Sequence, residues 1–207
     1  FSDDIRPYLE DLLYSYDFLG EIDFIRAKAL LAVEFNSIIP ELQSAPLIDW
    51  QQAVHPLLLK SLSRENRKIV PLDIKIDSQN HILLISGPNA GGKSVCLKTV
   101  GLLQYMLQCG LPIPAGEGSR AGIFRSIFID IGDEQSLEND LSTYSSHLYN
   151  MKYFIKNSDG QTLVLIDEFG SGTEPALGAA IAESILEELV KLRTFGVITT
   201  HYANLKH

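Results

Sequence analysis

The stretch from His81 to Ser94 constrains this chain more than any other. An apolar run, Ile82-Leu83-Leu84-Ile85, feeds a glycine-rich turn that hands over to Lys93-Ser94. Gly87, four residues, then Gly92-Lys93-Ser94 fits the P-loop pattern without a mismatch. The spacing has a physical reason. Glycines let backbone N–H groups turn inward and approach phosphate oxygens closely. A helix beginning at Lys93 adds the partial positive charge of its N-terminus. The cradle so defined runs through Gly87, Pro88, Asn89, Ala90, Gly91, Gly92, Lys93, Ser94 and Val95. Lys93 is placed to reach the β- and γ-phosphates of a nucleotide, and the Ser94 hydroxyl to ligate Mg²⁺.

The surrounding pattern fits that motif. Thr162 to Ile166 is an unbroken apolar run, as a central parallel strand buried on both faces requires. Gly196 to His201 reads as another buried strand, Ser126 to Ile131 as a short one, and Ile69 to Ile76 as a half-buried one. Helices are expected from Lys93 to about Cys109, where Gly110 and then Pro112 supply a stop, from Ser142 to about Lys156, and from 174 to 193. Strands alternating with helices predict an α/β fold with a mostly parallel sheet flanked by helices. Residues 1 to about 43 read as helical, with Ile5, Leu9, Leu12, Tyr16 and Leu19 on one stripe. That segment is either a helix pair packed on the main domain or a lever arm. Pro40, Pro46 and Pro56 bracket a polar connection, so the chain divides into residues 1–45 and 46–207.

Composition narrows the function. The net charge is −9 over 207 residues. Nucleic-acid-binding domains carry a basic face, so contacts to DNA or RNA are expected from chain outside this sequence. No run reaches the roughly 18 apolar residues of a membrane span, and no signal peptide is evident. Cys96 and Cys109 lie 13 residues apart in one expected helix, which is not a metal spacing. They read as buried reduced thiols, in keeping with a cytoplasmic setting.

Asp167 ends a buried strand, where ligands bind in open α/β sheets, and a carboxylate there can hold Mg²⁺. Glu168, next to it, can orient and deprotonate an attacking water. His201, following Thr199-Thr200 at another strand end, is placed to sense the γ-phosphate and hold that water. Two further hydroxyl-rich stretches, residues 140–147 and 170–175, are ordinary helix caps in isolation. In an ATPase they offer donors to phosphate across a dimer interface.

Taken together, Gly87-Pro88-Asn89-Ala90-Gly91-Gly92-Lys93-Ser94, Leu-Ser-Thr-Tyr-Ser-Ser-His at 141–147, Asp167-Glu168, Gly-Ser-Gly-Thr at 170–173 and Thr-Thr-His-Tyr at 199–202 resemble the MutS family of ABC-type P-loop NTPases. Asp130-Ile131-Gly132-Asp133-Glu134-Gln135-Ser136 ahead of the Leu-Ser-Thr-Tyr run resembles its second bacterial subfamily, whose full-length members usually carry a C-terminal Smr nuclease domain. The likeness is strong from 55 to 204 and weaker over 1–45. It implies Mg-ATP binding and hydrolysis, a homodimer closing through its nucleotide sites, and a helical lever leading to a clamp on DNA or a ribosome. Branched DNA with recombination control, mismatched DNA and ribosome rescue are the targets it brings with it. Any nuclease activity would lie outside this chain. It further implies that Ser142 contacts the γ-phosphate held by the other subunit, that Thr173 lies in the loop crossing the interface, that Asn89 is a polar contact of the P-loop, and that Ile69, Val70 and Pro71 pack on adenine. The family usually has Arg where Val54 stands. Further strands and dimerising helices are expected beyond His207.

Two other readings compete. One is an ATP-gated dimerisation or interaction module with negligible turnover. The other is a P-loop kinase, which would need a basic lid; the sparse arginine after the P-loop argues against it.

Overall fold

The computed structural model of the chain describes residues 2–87, 91–132 and 140–202, with backbone alone for 140–144. In chain order the elements are α1 (Ser2–Ile5), a 3-10 turn (Arg6–Tyr8), α2 (Leu9–Phe35), β1 (Glu41–Gln43), β2 (Ile48–Ala53), α3 (Pro56–Arg64), β3 (Leu72–Ile76), β4 (Ile82–Ser86), α4 (Lys93–Gln108), β5 (Arg120–Gly122), β6 (Ser126–Asp130), α5 (Asp140–Asn157), β7 (Thr162–Ile166), α6 (Pro175–Lys191) and β8 (Phe195–Thr200).

The strands form two sheets rather than one. The first is wholly parallel, in the order β4-β8-β7-β6. Side chains alternate across it, which explains the continuous apolarity of β7. Leu163 and Leu165 face α4 with Leu97, Val100 and Leu103, while Val164 and Ile166 face α5 and α6 with Met151, Phe154 and Leu189. The second sheet, β1-β5-β2-β3, is mixed: β2 runs antiparallel to β3 and β5, and β1 parallel to β5. Its Ile48, Trp50, Ile74 and Ile76 join the same cluster as the α4 residues, so α4 is packed between the two sheets.

The polar stretch expected to be a connection is therefore largely β2, and β1 pairs with β5 through Leu42↔Ala121. Alternation such as Ile48-Asp49-Trp50 was masked by the prolines around it. The strand expected from Ile69 begins at Leu72 instead. Pro71, with no N–H, precedes the ladder. Helix α3, unforeseen, starts with Pro56 in its first turn and with His55 Nδ1 accepting from Leu58 N–H at 3.4 Å.

The N-terminal helix stops at Phe35, not near residue 43. Asn36 adopts a left-handed conformation (φ 48°), and its N–H and that of Ser37 close the last turn on Val33 and Ala32 carbonyls. Phe35 is buried and Leu31 packs on the core, but Leu9, Leu12, Tyr16 and Leu19 are all more than half exposed. The stripe does not pack on the main domain as a helix pair would. The thiols also differ from expectation: Cys96 is half-buried and Cys109 exposed, because Cys109 sits at the C-cap of α4 rather than on its inner face. Burial pushes the Cys96 thiol pKa up.

Candidate functional site

The parallel sheet decides the geometry of the site. Ser86, last in β4, pairs with Thr200, last in β8, and Ile166, last in β7, pairs with Ile198. The turn after β4, His201 after β8 and Asp167-Glu168 after β7 thus emerge side by side, at the carboxyl ends of adjacent strands about 5 Å apart.

At the first of these ends, Gly87 (φ 146°) and Gly92 (φ 82°) take backbone conformations that a side chain would strain. Gly92 caps α4, and Lys93 opens it. Lys93 is 4% exposed, and its Nζ donates to the Gly87 carbonyl at 2.5 Å, folding the ammonium over the turn. Ser94 and Val95 follow in the first turn of the helix. Pro88, Asn89 and Ala90 lie outside the described residues, as does the side chain of Ser142, whose backbone is in the first turn of α5.

Beside that turn opens a cavity of about 510 Å³, bounded by Ile69, Val70 and Pro71 on one side and Gly91, Gly92 and Val95 on the other. The apolar trio of the sequence is thereby brought against the glycine turn, around a space large enough for a planar base.

At the second end, Asp167 is buried, and its Oδ1 accepts from the Thr199 hydroxyl and, at 3.2 Å, from the Glu168 N–H. The Glu168 N–H also reaches Thr199 Oγ1 at 2.9 Å, and the Phe169 N–H reaches the Thr199 carbonyl at 2.8 Å. Thr200 Oγ1 donates to the Phe169 carbonyl at 3.0 Å. These braces hold Glu168 in a left-handed conformation (φ 50°), uncommon for a residue with a side chain and costing on the order of 1 kcal/mol or more. The bend takes the chain off the strand line immediately after Asp167. His201 Nε2 stands 3.9 Å from Glu168 Oε1, within ion-pair range but beyond a direct hydrogen bond.

The residues present suit a magnesium ion. Mg²⁺ takes one or two carboxylates and completes its shell with phosphate oxygens and water, not with a protein cage. Among the described residues no group of three or more His, Cys, Asp or Glu forms such a cage. Asp167, with one oxygen pinned by Thr199, is a pre-oriented acid of the required kind.

Sequence reasoning passed over a third strand end. Asp130 closes β6, is 6% exposed, and is held by His147 and Asn150 of α5. The signal was present: Ser126 to Asp130 is an apolar run ending in an acid, like Thr162 to Asp167. The Thr199 and Thr200 braces had no such signal, because their partners lie some 30 residues away. The described helices include none long and apolar enough to cross a membrane.

Residues 83–207 match the family model for MutS domain V. Over 205 residues, 99% of this chain, the sequence is 45% identical to the endonuclease MutS2 of Enterococcus faecalis. It is 49% identical over 192 residues, 93% of the chain, to that of Pelotomaculum thermopropionicum, and 45% identical over 203 residues, 98% of the chain, to that of Acetivibrio thermocellus. These alignments take in 25%, 24% and 25% of the relatives, so the chain spans about a quarter of their length.

Proposed function

The chain belongs to the MutS family, within its MutS2 branch, and from that premise we propose that it binds and hydrolyses Mg-ATP to drive a conformational change in a longer protein acting on nucleic acid. One observation carries the reading: a glycine turn with a buried lysine, a histidine and a pair of acids converge at one end of three neighbouring parallel strands.

In this reading the backbone amides from Gly87 to Val95 and the N-terminus of α4 bind the phosphates. Lys93 pairs with the β- and γ-phosphates, and the base enters the cavity beside Ile69, Val70 and Pro71. Ser94 and Asp167 would hold the magnesium ion, which would supply positive charge against the phosphates. Glu168 takes the proton of the attacking water, and His201 orients that water from the next strand. Two subunits close over two nucleotides, Ser142 at the head of α5 reaching the γ-phosphate of the opposite site, and closure excludes bulk water. Helix α2 carries the motion away as a lever. The target, DNA under recombination or repair control or a stalled ribosome, is engaged by other parts of the longer protein. That division suits a chain of net charge −9.

Steady-state phosphate release by the intact protein, wild type against Glu168→Gln, tests the proposal. ATP binding with turnover that Glu168→Gln removes is the expected result. Binding without Glu168-dependent turnover would leave an ATP-gated interaction module instead.

A further inference from the structure

We propose that His147 is a positioning residue for hydrolysis: with Asn150 it clasps Asp130, and so holds α5 against the strand ends that carry Asp167 and Glu168. The proposal rests on the ATPase reading above and adds to it a residue outside the phosphate turn and the acid pair.

Asp130 is the last residue of β6 and is almost fully buried. A carboxylate taken out of water is costly unless both oxygens are satisfied. Among the described residues each oxygen has a donor, and both donors come from the same helix. His147 Nδ1 lies 2.5 Å from Oδ2, and Asn150 Nδ2 donates to Oδ1 at 2.8 Å. An ionised carboxylate only accepts, so the proton of this contact resides on Nδ1. Residues 147 and 150 are three apart and share one face of α5, which makes the grip two-pronged.

The main chain of Asp130 holds the other partner. Its carbonyl accepts from the Asp167 N–H at 2.9 Å, one step beyond the ladder that pairs β6 with β7. One residue therefore ties the helix headed by Ser142 to the strand end bearing the acids: side chain to the helix, backbone to the strand. His147 also lines a small cavity together with Asp167, Glu168 and Gly170. Its pKa is raised, first by the hydrogen bond to Asp130 and further by the charges of Asp130 and Glu168, with partial burial opposing. The imidazolium is thus favoured where two elements of the site meet. A shift of α5 relative to β6 must break this clasp, and a helix held loosely presents its first turn imprecisely to anything bound across an interface.

Two variants of the intact protein separate the bond from the bulk. His147→Asn keeps an N–H near the Nδ1 position, whereas His147→Leu keeps volume and loses the donor. We expect kcat to fall ~10-fold in the leucine variant, the lower range for partners that orient a site's own groups, and to recover to within about threefold of wild type in the asparagine variant. ATP affinity is expected to stay within about twofold in both, since the clasp touches no phosphate group. An unchanged kcat in the leucine variant, an asparagine variant as slow as leucine, or a loss confined to ATP affinity would each overturn the proposal. If the leucine variant does not fold, Asn150→Ala serves, with a ~3-fold lower kcat expected and none counting against the clasp. A wild type without Glu168-dependent turnover defeats the ATPase reading instead. The clasp is then judged by hydrogen exchange: faster exchange along α5 in the leucine but not the asparagine variant supports it, and equal protection refutes it.

Discussion

The two sheets of this chain are of equal size and share the core around α4, yet they treat their charged residues in opposite ways. In the mixed sheet two acids, Asp49 and Asp73, are engaged between strands, while Glu41 on β1 stays exposed and accepts from Gln43 of its own strand. Asp49 on β2 pairs with Arg120 on β5, and Asp73 on β3 accepts from the backbone and side chain of Gln52 at a bulge in β2. In the parallel sheet no charge sits mid-strand; Asp130 ends one strand, and Asp167 and Glu168 follow another. The difference follows from topology. Antiparallel neighbours reverse direction, so complementary side chains meet across a ladder. Parallel strands with crossover helices bring all their carboxyl ends to one edge, where side chains collect around a ligand. One sheet closes its charges within itself and the other gathers them at one edge.

That contrast is broken most directly at the acid pair. Glu168→Gln is expected to slow ATP turnover at least ~100-fold, the scale of a lost general base, with ATP binding retained in calorimetry. Full activity would remove Glu168 from the chemistry. Next, Lys93→Ala should cost nucleotide affinity about 2–5 kcal/mol, or roughly 30-fold and upward, while the fold persists. Unchanged binding would place the nucleotide elsewhere. The mixed sheet should respond in stability and not in binding. A Cβ at Gly122 would stand 2.0 Å from the Ala45 carbonyl oxygen and 2.6 Å from the Leu47 nitrogen, backbone atoms with no freedom to yield. Gly122→Ala should therefore destabilise the chain by about 1–3 kcal/mol, seen as a melting temperature lower by several degrees with ATP affinity intact. A matching loss of ATP affinity would mean that the two sheets are not separable in function.

The smallest expected effect is a pH dependence at their junction with α5. The His147 pKa is raised in the folded chain, chiefly by its hydrogen bond to Asp130. Its stabilising contribution is then complete below the unfolded value of about 6.5 and is lost as pH rises through the higher folded value. The melting-temperature gap between wild type and His147→Leu should be wider at pH 6 than at pH 8. A gap that is constant, or wider at pH 8, would show that the imidazolium does not stabilise this contact.

Much of this was legible in the residues. Period and punctuation placed the strands of the parallel sheet and the helices from 93 onward to within a residue or two, because each is a long, strong pattern, whereas the three-residue β5, in a stretch whose glycines at 116, 118 and 122 read as loop, was missed. The elements missed lie where two signals overlap. Residues 44–56 carry prolines that hide a strand, and α3 begins on one of those prolines. The N-terminal stripe misled differently: its periodicity is genuine helix, but apolar residues at helical spacing do not say what they face, and most of these face solvent.

By itself, the sequence determined the local patterns on offer: a glycine turn of P-loop spacing at 87–94, an acid pair at 167–168, and strands apolar enough to be buried on both sides. These are local facts, carried by neighbouring residues. Only the tertiary structure decided that the acid strand lies one strand from the turn, that Thr199 and Thr200 brace the left-handed bend at Glu168, and that Asp130 joins α5 to the same edge. Those are contacts between residues 17 to 114 positions apart, set by which strands pair and in what register, and no local pattern records a partner at that distance.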